Sequence, residues 1–372
     1  MIEVQNGVTR HPLWRMAEPV CLEIMEGEQI AIAGENGAGK SRLVEILTGH
    51  YPLLGDAIRY DFSPSPLKLV SENMKYIAFR DSYGDQDATY YYQQRWNQHD
   101  IDESTPTVGQ LLEDAFGKAD ESVGHGLDPR QQEALRASMQ EKREVLMRLF
   151  HLHDLYDKYI ISLSSGELRK FQLARALGSA PRMLVMDNPF VGLDSDTRIQ
   201  LRELLSSLIT QFGLQVILIV SRDVDIPDFI THVLPVAGNR LLPKQTRAEY
   251  LSQVQSPTPP YLSSEAREWI VNLPERPLDT EHFYPKPGGE ILKFDGVNIR
   301  YGSRTILSDL HWTVCEGQRW ALSGENGAGK STLLSLVCAD NPQGYACPIE
   351  LFGHRRGSGE SIWEIKHHIG YV

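Results

Sequence analysis

The amino-acid sequence predicts an α/β fold built on a mainly parallel sheet. Apolar runs of strand length alternate with segments of helical periodicity, as in Arg182–Asp187, Ser195–Thr210 and Leu214–Val220. The chain also contains the octapeptide Gly-Glu-Asn-Gly-Ala-Gly-Lys-Ser twice, at Gly34–Ser41 and at Gly324–Ser331. Each copy matches the pattern of a phosphate-binding P-loop. Two identical copies indicate an internal duplication, so we expect two related domains that bind nucleoside triphosphates.

The composition predicts a soluble protein of two or three domains. The chain has 372 residues, of which 41% are hydrophobic and 23% are charged. Its net charge of −12 argues against a nucleic-acid partner, which usually requires a basic face. Its 4 cysteines form no C-x-x-C pair, so we expect reduced, incidental thiols. No apolar run reaches the length of a membrane span and no signal peptide is visible, which favours a cytoplasmic protein or one held at the inner face of the cell membrane.

The first P-loop lies between a predicted strand at Glu28–Ala33 and a predicted helix at Lys40–Leu47. In such a loop, backbone N–H groups wrap the phosphates, and the helix N-terminus adds positive potential. Lys40 is expected to reach the β- and γ-phosphates, and Ser41 is expected to bind Mg²⁺. The residues expected to wrap the phosphates are Gly34, Glu35, Asn36, Gly37, Ala38 and Gly39.

The second P-loop repeats this arrangement between a predicted strand at Arg319–Ser323 and a predicted helix at Ser331–Val337. Lys330 and Ser331 are expected to serve as the phosphate-binding lysine and the Mg²⁺-binding hydroxyl. The other residues expected to contact ATP here are Gly324, Glu325, Asn326, Gly327, Ala328, Gly329 and Thr332.

A carboxylate that can complete a P-loop site stands at the end of the apolar run Arg182–Asp187. A parallel strand would deliver Asp187 beside the P-loop, where its oxygens can hold Mg²⁺ through water. An apolar run that ends in aspartate is a weak signal alone. Here it follows the segment Leu163–Glu167, a serine-rich helix start, and the two features in this order are more specific than either one.

With these motifs in this order, the chain resembles the ATP-binding cassette family. The segment Leu163–Glu167 is similar to the LSGGQ signature of that family, with Ser165 in place of the first glycine and Glu167 in place of glutamine. The segment Gly192–Asp194 is similar to the family's D-loop. The resemblance implies a P-loop NTPase cassette, in which the mainly parallel sheet is accompanied by a helical subdomain and an antiparallel β subdomain.

The resemblance also implies a cassette dimer, either within one chain or between two chains. In such a dimer each ATP lies between the P-loop of one cassette and the signature of the other, with Mg²⁺ as the second cofactor. Ser164 and the amide of Gly166 would then donate to the γ-phosphate from a helix N-terminus. Lys330 and Ser331 would face this signature of the first domain.

Two residues depart from the family pattern around the first site. Asn188 follows Asp187 where the family has a glutamate that activates water, and Arg222 stands where the family has a switch histidine. An amide cannot accept a proton at neutral pH, so general-base help of about 10²–10⁴-fold is expected to be lost. Arg222 can contact a phosphate as a fixed charge but does not titrate. The first site is therefore expected to bind ATP and hydrolyse it slowly, unless another group supplies the base.

In the family an aromatic ring usually stacks on the adenine of the nucleotide. By that resemblance Tyr301 takes this role in the second copy. The aligned residue of the first copy is His11, with Trp14 close by. The alternative for His11 is a solvent-exposed histidine on a strand.

The repeat and the composition together predict the division into domains. Residues 1–240 are expected to form the first ATP-binding domain, 241–289 a proline-rich linker, and 290–372 the N-terminal part of a second ATP-binding domain. The tetrapeptide Ile369–Val372 aligns with Met74–Ile77 of the first copy. The second cassette is therefore expected to be incomplete, as in a truncated sequence.

The resemblance implies the function of an ATPase component in a transporter-type system, with weak activity and with a membrane subunit as partner. The segments Asn341–Tyr345 and Phe352–Trp363 resemble a tandem-cassette branch of the family associated with molybdenum transport. The alternative for the second segment is a hairpin with surface arginines. The resemblance does not establish the cargo, because other subunits of such transporters choose it. The other functional class is a soluble tandem protein, either a nucleotide-dependent regulator or a ribosome- or DNA-associated factor. The linker has no excess of basic residues, which disfavours the ribosome- or DNA-associated factor.

Overall fold

The computed structural model describes residues 1–79, 105–122, 127–254, 264–272, 288–301, 304–324 and 327–370. The chain divides into two units, Met1–Pro257 and Thr258–Val372. Within the described ranges, none of the helices has both the length and the apolar character needed to traverse a lipid bilayer.

The first unit contains both strands and helices. Its described strands are β1 (Ile2–Gly7), β2 (Val20–Ile24), β3 (Ile30–Ala33), β4 (Ile58–Tyr60), β5 (Met74–Ala78), β6 (Met183–Asp187), β7 (Gln215–Val220), β8 (His232–Ala237), β9 (Arg240–Leu241) and β10 (Gln245–Thr246). Its described helices are α1 (Lys40–Leu47), α2 (Val70–Asn73), α3 (Val108–Ser122), α4 (Pro129–Leu149), α5 (Ser165–Leu177), α6 (Ser195–Phe212) and α7 (Arg247–Val254).

A mainly parallel sheet with the order β10-β8-β3-β7-β6-β5 forms the centre of this unit. Strands β8, β3, β7, β6 and β5 pair in parallel, while β9 and β10 pair antiparallel with β8. Strand β3 lies between β7 and β8, and all of its residues are buried. A strand covered on both faces is apolar throughout instead of alternating. The prediction of an α/β fold on a mainly parallel sheet is confirmed.

The two faces of this sheet enter two separate cores, because successive strand residues point to opposite faces. One face packs against α3, α4, α5 and α6, and the other packs against α1 and the antiparallel sheet β2-β1-β4. The residues that β3, β6 and β7 contribute to the first face are Ala31, Ala33, Leu184, Met186, Val216, Leu218 and Val220. The residues that the same three strands contribute to the second face are Ile30, Ile32, Met183, Val185, Ile217 and Ile219. The antiparallel β subdomain implied by the resemblance is therefore present.

Helices α3, α4 and α5 lie together and form a helical subdomain. The buried guanidinium of Arg143 on α4 donates to both oxygens of Asp120 on α3 (2.8 and 2.9 Å) and to the carbonyl of Gly178 after α5 (2.8 Å). Helix α4 ends at Leu149. The backbone of His151 has a left-handed φ of 54°, which a continuing right-handed helix cannot contain.

The chain that follows β8 remains with the first unit. Strands β9 and β10 pair with β8 and lead into α7, so residues 240–254 extend this unit. A further helix, α8 (Ser264–Val271), lies within the segment predicted as a linker. The proline-rich run 257–260 lies outside the described residues.

The second unit contains an antiparallel sheet and a P-loop helix. Besides α8, its described strands and helices are β11 (Glu290–Tyr301), β12 (Arg304–Cys315), α9 (Lys330–Val337), β13 (Ile349–Leu351), β14 (His354–Arg355) and α10 (Ile362–Lys366). The strand order is β12-β11-β13-β14. Leu333 and Leu336 of α9 pack with apolar residues of β11 and β13 in one core.

The prediction of a strand at Arg319–Ser323 is wrong. These residues form no ladder, and Trp320 and Leu322 are 59% and 43% exposed. In the first unit, the corresponding strand β3 is hydrogen-bonded to β7 on one side and to β8 on the other. In the described part of the second unit no strand takes either place. A segment whose backbone groups have no neighbouring strand does not form a stable strand.

The alternative of a hairpin with surface arginines is correct for the hairpin, which β13 and β14 form, but only one of its two arginines lies at the surface. Arg355 is exposed, but Arg356 is buried and donates to Glu360 at 2.9 Å. The side chains of this pair are only 2% and 3% exposed. Glu360 also accepts from the N–H groups of Gly357 and Ser358 (both 2.8 Å). The carboxylate of Glu360 therefore holds together the loop that runs from Arg356 to Glu360.

Candidate nucleotide-binding site

The carboxyl ends of three neighbouring strands bring the predicted residues of the first site together. Strand β3 leads into the first P-loop, β6 ends at Asp187, and β7 leads into Ser221. The parallel register pairs Ala33 with Val220 and Asp187 with Ile219, so all three segments leave the sheet at the same edge. In open α/β sheets, ligands bind at this edge.

The backbone of the first P-loop requires glycine at defined points. Gly37 and Gly39 have φ angles of 81° and 105°, in the left-handed region that other residues rarely adopt. At Gly34 a side chain would meet the carbonyl oxygen of Val236 at 2.2 Å, so β8 packs directly against the loop. The N–H of Asn239 donates to a loop carbonyl at 2.8 Å. The loop conformation therefore depends on contacts with β8 and the turn that follows it.

Lys40 is held within this loop. It is buried, and its ammonium donates to the carbonyls of Gly34 (2.6 Å) and Glu35 (2.8 Å). Burial lowers the pKa of Lys40, and the negative charge of Asp187 partly offsets this effect. An ammonium group has three N–H donors, so the two carbonyls leave one donor for a phosphate oxygen.

Replacing Gly34 by alanine is expected to destabilise the protein more than replacing Gly37. In Gly34→Ala the new methyl group meets backbone of β8, which must shift, whereas nothing lies within 4 Å of a methyl group in Gly37→Ala. Strain from φ alone costs about 1–3 kcal/mol. Gly37→Ala is expected to stay within that range and Gly34→Ala to exceed it. Urea unfolding measures both, and equal losses would contradict the steric explanation.

Both carboxylate oxygens of Asp187 accept hydrogen bonds. Oδ2 accepts from the hydroxyl of Tyr76 on β5 (3.0 Å), and Oδ1 accepts from the side-chain amide of Asn188 (2.7 Å). Sequence reasoning missed Tyr76, because Tyr76 and Asp187 lie on two different strands that are far apart in the sequence. The parallel register sets Tyr76 opposite Val185, two positions before Asp187 on the neighbouring strand. A correct register for β5 would therefore have identified this tyrosine.

Asn188 has both ends of its side chain engaged. Its amide nitrogen donates to Asp187, and its oxygen accepts from the hydroxyl of Ser221 at 3.2 Å. That hydroxyl also lies 2.9 Å from Oδ1 of Asn36 in the P-loop, so one proton serves two acceptors. The backbone of Asn188 has a left-handed φ of 49°, which asparagine adopts more readily than most residues. The structure therefore fixes an amide beside the P-loop and the carboxylate.

Arg222 is held by a buried aspartate. Its guanidinium donates to both oxygens of Asp225 (3.0 and 3.2 Å), and Arg198 of α6 donates to the same carboxylate (2.9 Å). Asp225 is only 4% exposed, and two arginines compensate its charge. Ser221, one residue earlier in the chain, contacts the P-loop. Sequence reasoning named Arg222 and missed Ser221, although both directly follow the same strand.

The residues at this edge suit a magnesium nucleotide. Nothing lies within 4 Å of a methyl group built at Gly37, so a phosphate can approach the loop N–H groups. Ser41 is exposed at the start of α1, and its hydroxyl and the carboxylate of Asp187 are hard oxygen ligands of the kind Mg²⁺ prefers. Lys40 and the N-terminus of α1 would supply positive potential for the phosphates.

The predicted signature lies at the N-terminus of α5. The hydroxyl of Ser164 accepts from the N–H of Glu167 (3.3 Å), and the Glu167 carboxylate accepts from the N–H of Ser164 (2.8 Å). This reciprocal pair is a capping box, which orients both residues. A side chain at Gly166 would meet Thr197 of α6 at 3.1 Å, so the two helices pack closely here. Ser165 is the first residue of α5, and its side chain lies outside the described residues.

A groove of about 400 Å³ lies beside the signature, between α5 and α6. Ser164, Gly166 and Thr197 contribute to its lining. Asp194, the last residue of the predicted D-loop, caps α6 by accepting from the N–H of Thr197 (2.9 Å). The signature and the D-loop therefore meet through Thr197.

Three rings cluster at the turn Pro12–Trp14: Trp14 is stacked on Tyr51, and His11 is tilted against Trp14. The ring of Trp14 lies 4.7 Å from that of His11 and 4.4 Å from that of Tyr51, measured between centroids. Arg42 of α1 donates to the carbonyl of Arg15 at 3.0 Å, which connects this turn to α1. His11 is exposed, as the alternative expected, but it lies on a bend before the turn instead of on a strand.

The second P-loop repeats the backbone of the first where the structure describes it. Gly327 and Gly329 have φ angles of 85° and 92°, close to the 81° and 105° of the first loop. Lys330 donates to the carbonyl of Gly324 at 2.6 Å, the same distance as in the first loop. Glu325 and Asn326 lie outside the described residues.

The second P-loop is more exposed than the first. Lys330 is half-buried where Lys40 is buried, Ala328 and Ser331 are exposed, and Thr332 is half-buried. The first loop lies against β8, whereas in the described second unit no strand takes that place. The second P-loop is more exposed for the same reason that Arg319–Ser323 form no strand: the described second unit has no neighbouring strand to cover them.

Tyr301 lies at the end of β11. The residue is 46% exposed, and its hydroxyl accepts a hydrogen bond from the side-chain amide of Asn341 (3.0 Å). The hydrogen bond to the hydroxyl therefore orients the ring, and the exposure of the residue permits stacking with a planar ligand.

Two P-loops, each placed at the N-terminus of a helix, define a P-loop nucleotide-binding protein. The family model described as ABC transporter matches residues 17–191 and 307–372, ranges that include both P-loops, the signature and Asp187. The chain belongs to the ABC transporter family. The resemblance to ATP-binding cassettes inferred from the motifs is confirmed.

Two curated relatives cover almost the whole chain. The ABC transporter ATP-binding protein ModF of Escherichia coli (strain K12) is 35% identical over 352 residues, which are 94% of this chain and 65% of that protein. An ABC transporter ATP-binding protein of Schizosaccharomyces pombe is 29% identical over 365 residues, which are 97% of this chain and 68% of that protein. The chain thus spans about two thirds of the length of these relatives.

Solved structures share the fold. The ADP conformation of MJ1267, an ATP-binding cassette of an ABC transporter, has a TM-score of 0.51 at 19% identity and covers 73% of this chain and 98% of that one. CbiO1 from Clostridium perfringens, part of the ABC transporter complex cbiONQ, has a TM-score of 0.50 at 17% identity and covers 73% and 95%. Both likenesses show the cassette fold.

Proposed function

We propose that this chain is the ATP-binding component of a transporter-type system, and that it binds Mg-ATP at both P-loops but hydrolyses it slowly at the first. The observation that carries the proposal is the meeting of Lys40, Asp187 and Asn188 at one edge of the sheet. These residues provide the groups that bind a magnesium nucleotide, and they place an amide where a general base is required.

Binding at the first site uses groups that the fold has already oriented. The loop N–H groups and Lys40 would hold the phosphates, while Ser41 and Asp187 would hold the magnesium ion. Bound Mg²⁺ would neutralise charge on the β- and γ-phosphates. Because Tyr76 and Asn188 hydrogen-bond to Asp187, its carboxylate is oriented before the nucleotide arrives. The adenine would lie against the ring cluster that contains His11.

Slow hydrolysis at the first site follows from the chemistry and the contacts of Asn188. A neutral amide accepts no proton at neutral pH, and its oxygen already accepts from Ser221. Arg222 is paired with Asp225 and can contribute only a fixed charge. The binding groups of this site are therefore intact, while its water-activating group is missing.

The signature of the first unit is proposed to act on an ATP held by another cassette. Ser164 and Gly166, at the N-terminus of α5, would donate to the γ-phosphate of that nucleotide. The second P-loop would hold it through Lys330 and Ser331, with Tyr301 stacked on the adenine. The partner cassette lies either in the same chain or in a second copy, and the two sites of such a pair are unequal.

The proposed role places the protein at the inner face of a membrane, where it would energise or regulate a transporter subunit. The family and the names of the relatives support this role, because both relatives are called ABC transporter ATP-binding proteins. A molybdenum compound is the cargo suggested by the resemblance in the second unit. The net charge of −12 supports the absence of a nucleic-acid partner.

A nucleotide-dependent regulator without a transport role is the second candidate. Asn188 favours it, because a protein that holds ATP without rapid turnover can report nucleotide level. Co-purification of the native protein with a membrane fraction distinguishes the two. Recovery of all of the protein in the soluble fraction, with or without ATP, would favour the regulator.

The proposal is tested by measuring ATP binding and turnover on the purified chain. Wild-type protein is expected to bind two nucleotides with Mg²⁺ and to turn over more slowly than about 1 s⁻¹. Lys40→Ala and Lys330→Ala are each expected to remove one bound nucleotide, because each removes a phosphate-binding ammonium. Turnover faster than about 1 s⁻¹ that Lys40→Ala abolishes would contradict slow hydrolysis at the first site. Absence of nucleotide binding would contradict the whole proposal.

A further inference from the structure

A negative charge lies at the helix end that is proposed to receive a triphosphate. Glu167 occupies the third position of α5, and its carboxylate oxygen lies 2.8 Å from the backbone nitrogen of Ser164. The proposed donors to the γ-phosphate are Ser164 and Gly166, within the same helical turn. An uncompensated carboxylate at this distance would repel the phosphate and weaken its binding by roughly tenfold or more.

Lys158 lies against this carboxylate. Its ammonium is 2.8 Å from Oε1 of Glu167, while Oε2 accepts the N–H of Ser164. Burial alone would raise the pKa of Glu167, but the hydrogen bonds from Lys158 and Ser164 outweigh burial and hold the pKa below its usual value. Glu167 therefore stays ionised, and its charge is cancelled by one lysine.

The position of Lys158 is fixed by its own backbone. Its carbonyl accepts from the N–H of Val108 at the start of α3 (2.9 Å), and its N–H donates to the carbonyl of Leu155 (3.0 Å). The lysine is thus anchored to the helical subdomain and reaches across to α5. A half-exposed ion pair contributes little to stability, about 1 kcal/mol or less, so folding alone does not account for the arrangement.

We infer that Lys158 is a positioning residue that cancels the charge of Glu167 and thereby keeps the N-terminus of α5 receptive to a nucleoside triphosphate. The inference rests on the proposed role of the signature. It explains how a glutamate can occupy a position where the family has a neutral glutamine. It also predicts that Lys158 matters only while residue 167 carries a charge.

The test compares Lys158→Met in two backgrounds, wild type and Glu167→Gln. Glutamine can replace glutamate in a capping box, so the helix start is retained while the charge is removed. Amide hydrogen exchange is followed at two places on the full chain as MgATP is titrated. Protection of the two P-loops reports nucleotide binding, and protection of the first turn of α5 reports engagement of the signature.

In the wild-type background, Lys158→Met is expected to raise the MgATP concentration that half-protects the first turn of α5 by roughly tenfold. In the Glu167→Gln background, the same substitution is expected to change that concentration by less than about twofold, because no charge remains to be compensated. The tenfold effect should also shrink as ionic strength rises, since salt screens exposed charges. Lys118→Met, which removes a lysine from an exposed pair with Asp114 on α3, is the matched control and is expected to cause no shift.

The outcomes separate this inference from the proposed function. If Lys158→Met has no effect, or has the same effect in both backgrounds, the charge-compensating role is refuted while ATP binding stands. If the P-loops become protected but the first turn of α5 never does in wild-type protein, the proposed signature contact itself fails. If neither place is protected, the chain does not bind ATP.

Discussion

Replacing Asn188 by glutamate is expected to raise the rate of ATP hydrolysis at the first site by about 10²-fold. The substitution supplies a carboxylate that can accept a proton from water, a group worth about 10²–10⁴-fold in such reactions. The expected increase in rate lies at the lower end of this range for two reasons. Glutamate must adopt the left-handed φ of 49°, at a cost of about 1 kcal/mol. It also loses the amide that donates to Asp187.

The controls for this gain separate a base from a change of shape. Asn188→Gln has the length of glutamate without its basicity and should not raise the rate. Lys40→Ala combined with Asn188→Glu should abolish the gain, because the first P-loop no longer binds the phosphates. Phosphate release is measured at high protein concentration so that cassettes can pair. An equal gain with glutamine, or no gain with glutamate while ATP still binds, would show that the missing base does not limit turnover.

Removing the carboxylate of Glu360 is expected to destabilise the second unit by about 3 kcal/mol. Glu360→Ala leaves the guanidinium of Arg356 buried without its counter-charge, over the ring of Tyr345 (4.3 Å), and leaves the N–H groups of Gly357 and Ser358 without their acceptor. The value is at the lower end of the range for a broken buried pair, because a surface loop can open and admit water. Amide exchange at β13 and urea unfolding measure the loss.

A second variant distinguishes loss of the pair from loss of packing. Arg356→Met combined with Glu360→Ala removes the stranded charge, so it is expected to cost less than Glu360→Ala alone. Asp340→Ala breaks the exposed pair with Lys366 in the same unit and is expected to cost less than about 1 kcal/mol. A double variant that is less stable than Glu360→Ala would contradict the role of the buried charge.

The P-loops were predictable from sequence because their requirements are local. The loop at Gly34–Ser41 needs glycine where φ is positive and a lysine at the helix start, and both conditions appear as a contiguous motif. The strand ending at Asp187 was predictable for a similar reason, since a buried parallel strand is apolar throughout. The signature was recognised from Ser164 and Gly166, and the structure places Ser164 as the cap of α5.

Contacts between strands were not predictable in the same way. Tyr76 reaches Asp187 because β5 pairs with β6 in one register, and a shift of one residue would turn its side chain to the other face. Ser221 contacts the site while Arg222, its neighbour, turns to Asp225. The strand expected at Arg319–Ser323 has the right composition, but strand formation also requires paired neighbours, which the described second unit does not provide.

The amino-acid sequence alone predicted two P-loops, a segment similar to the family signature and an amide at the position of the expected base. Those features are defined by short runs of residues and by backbone conformations that only certain residues adopt. The partners of the key charges depended on packing between distant segments. Asp187 meets Tyr76, Arg222 meets Asp225 and Glu167 meets Lys158 because sheet register and helix packing bring these side chains together. The spacing of residues along the chain does not predict such contacts.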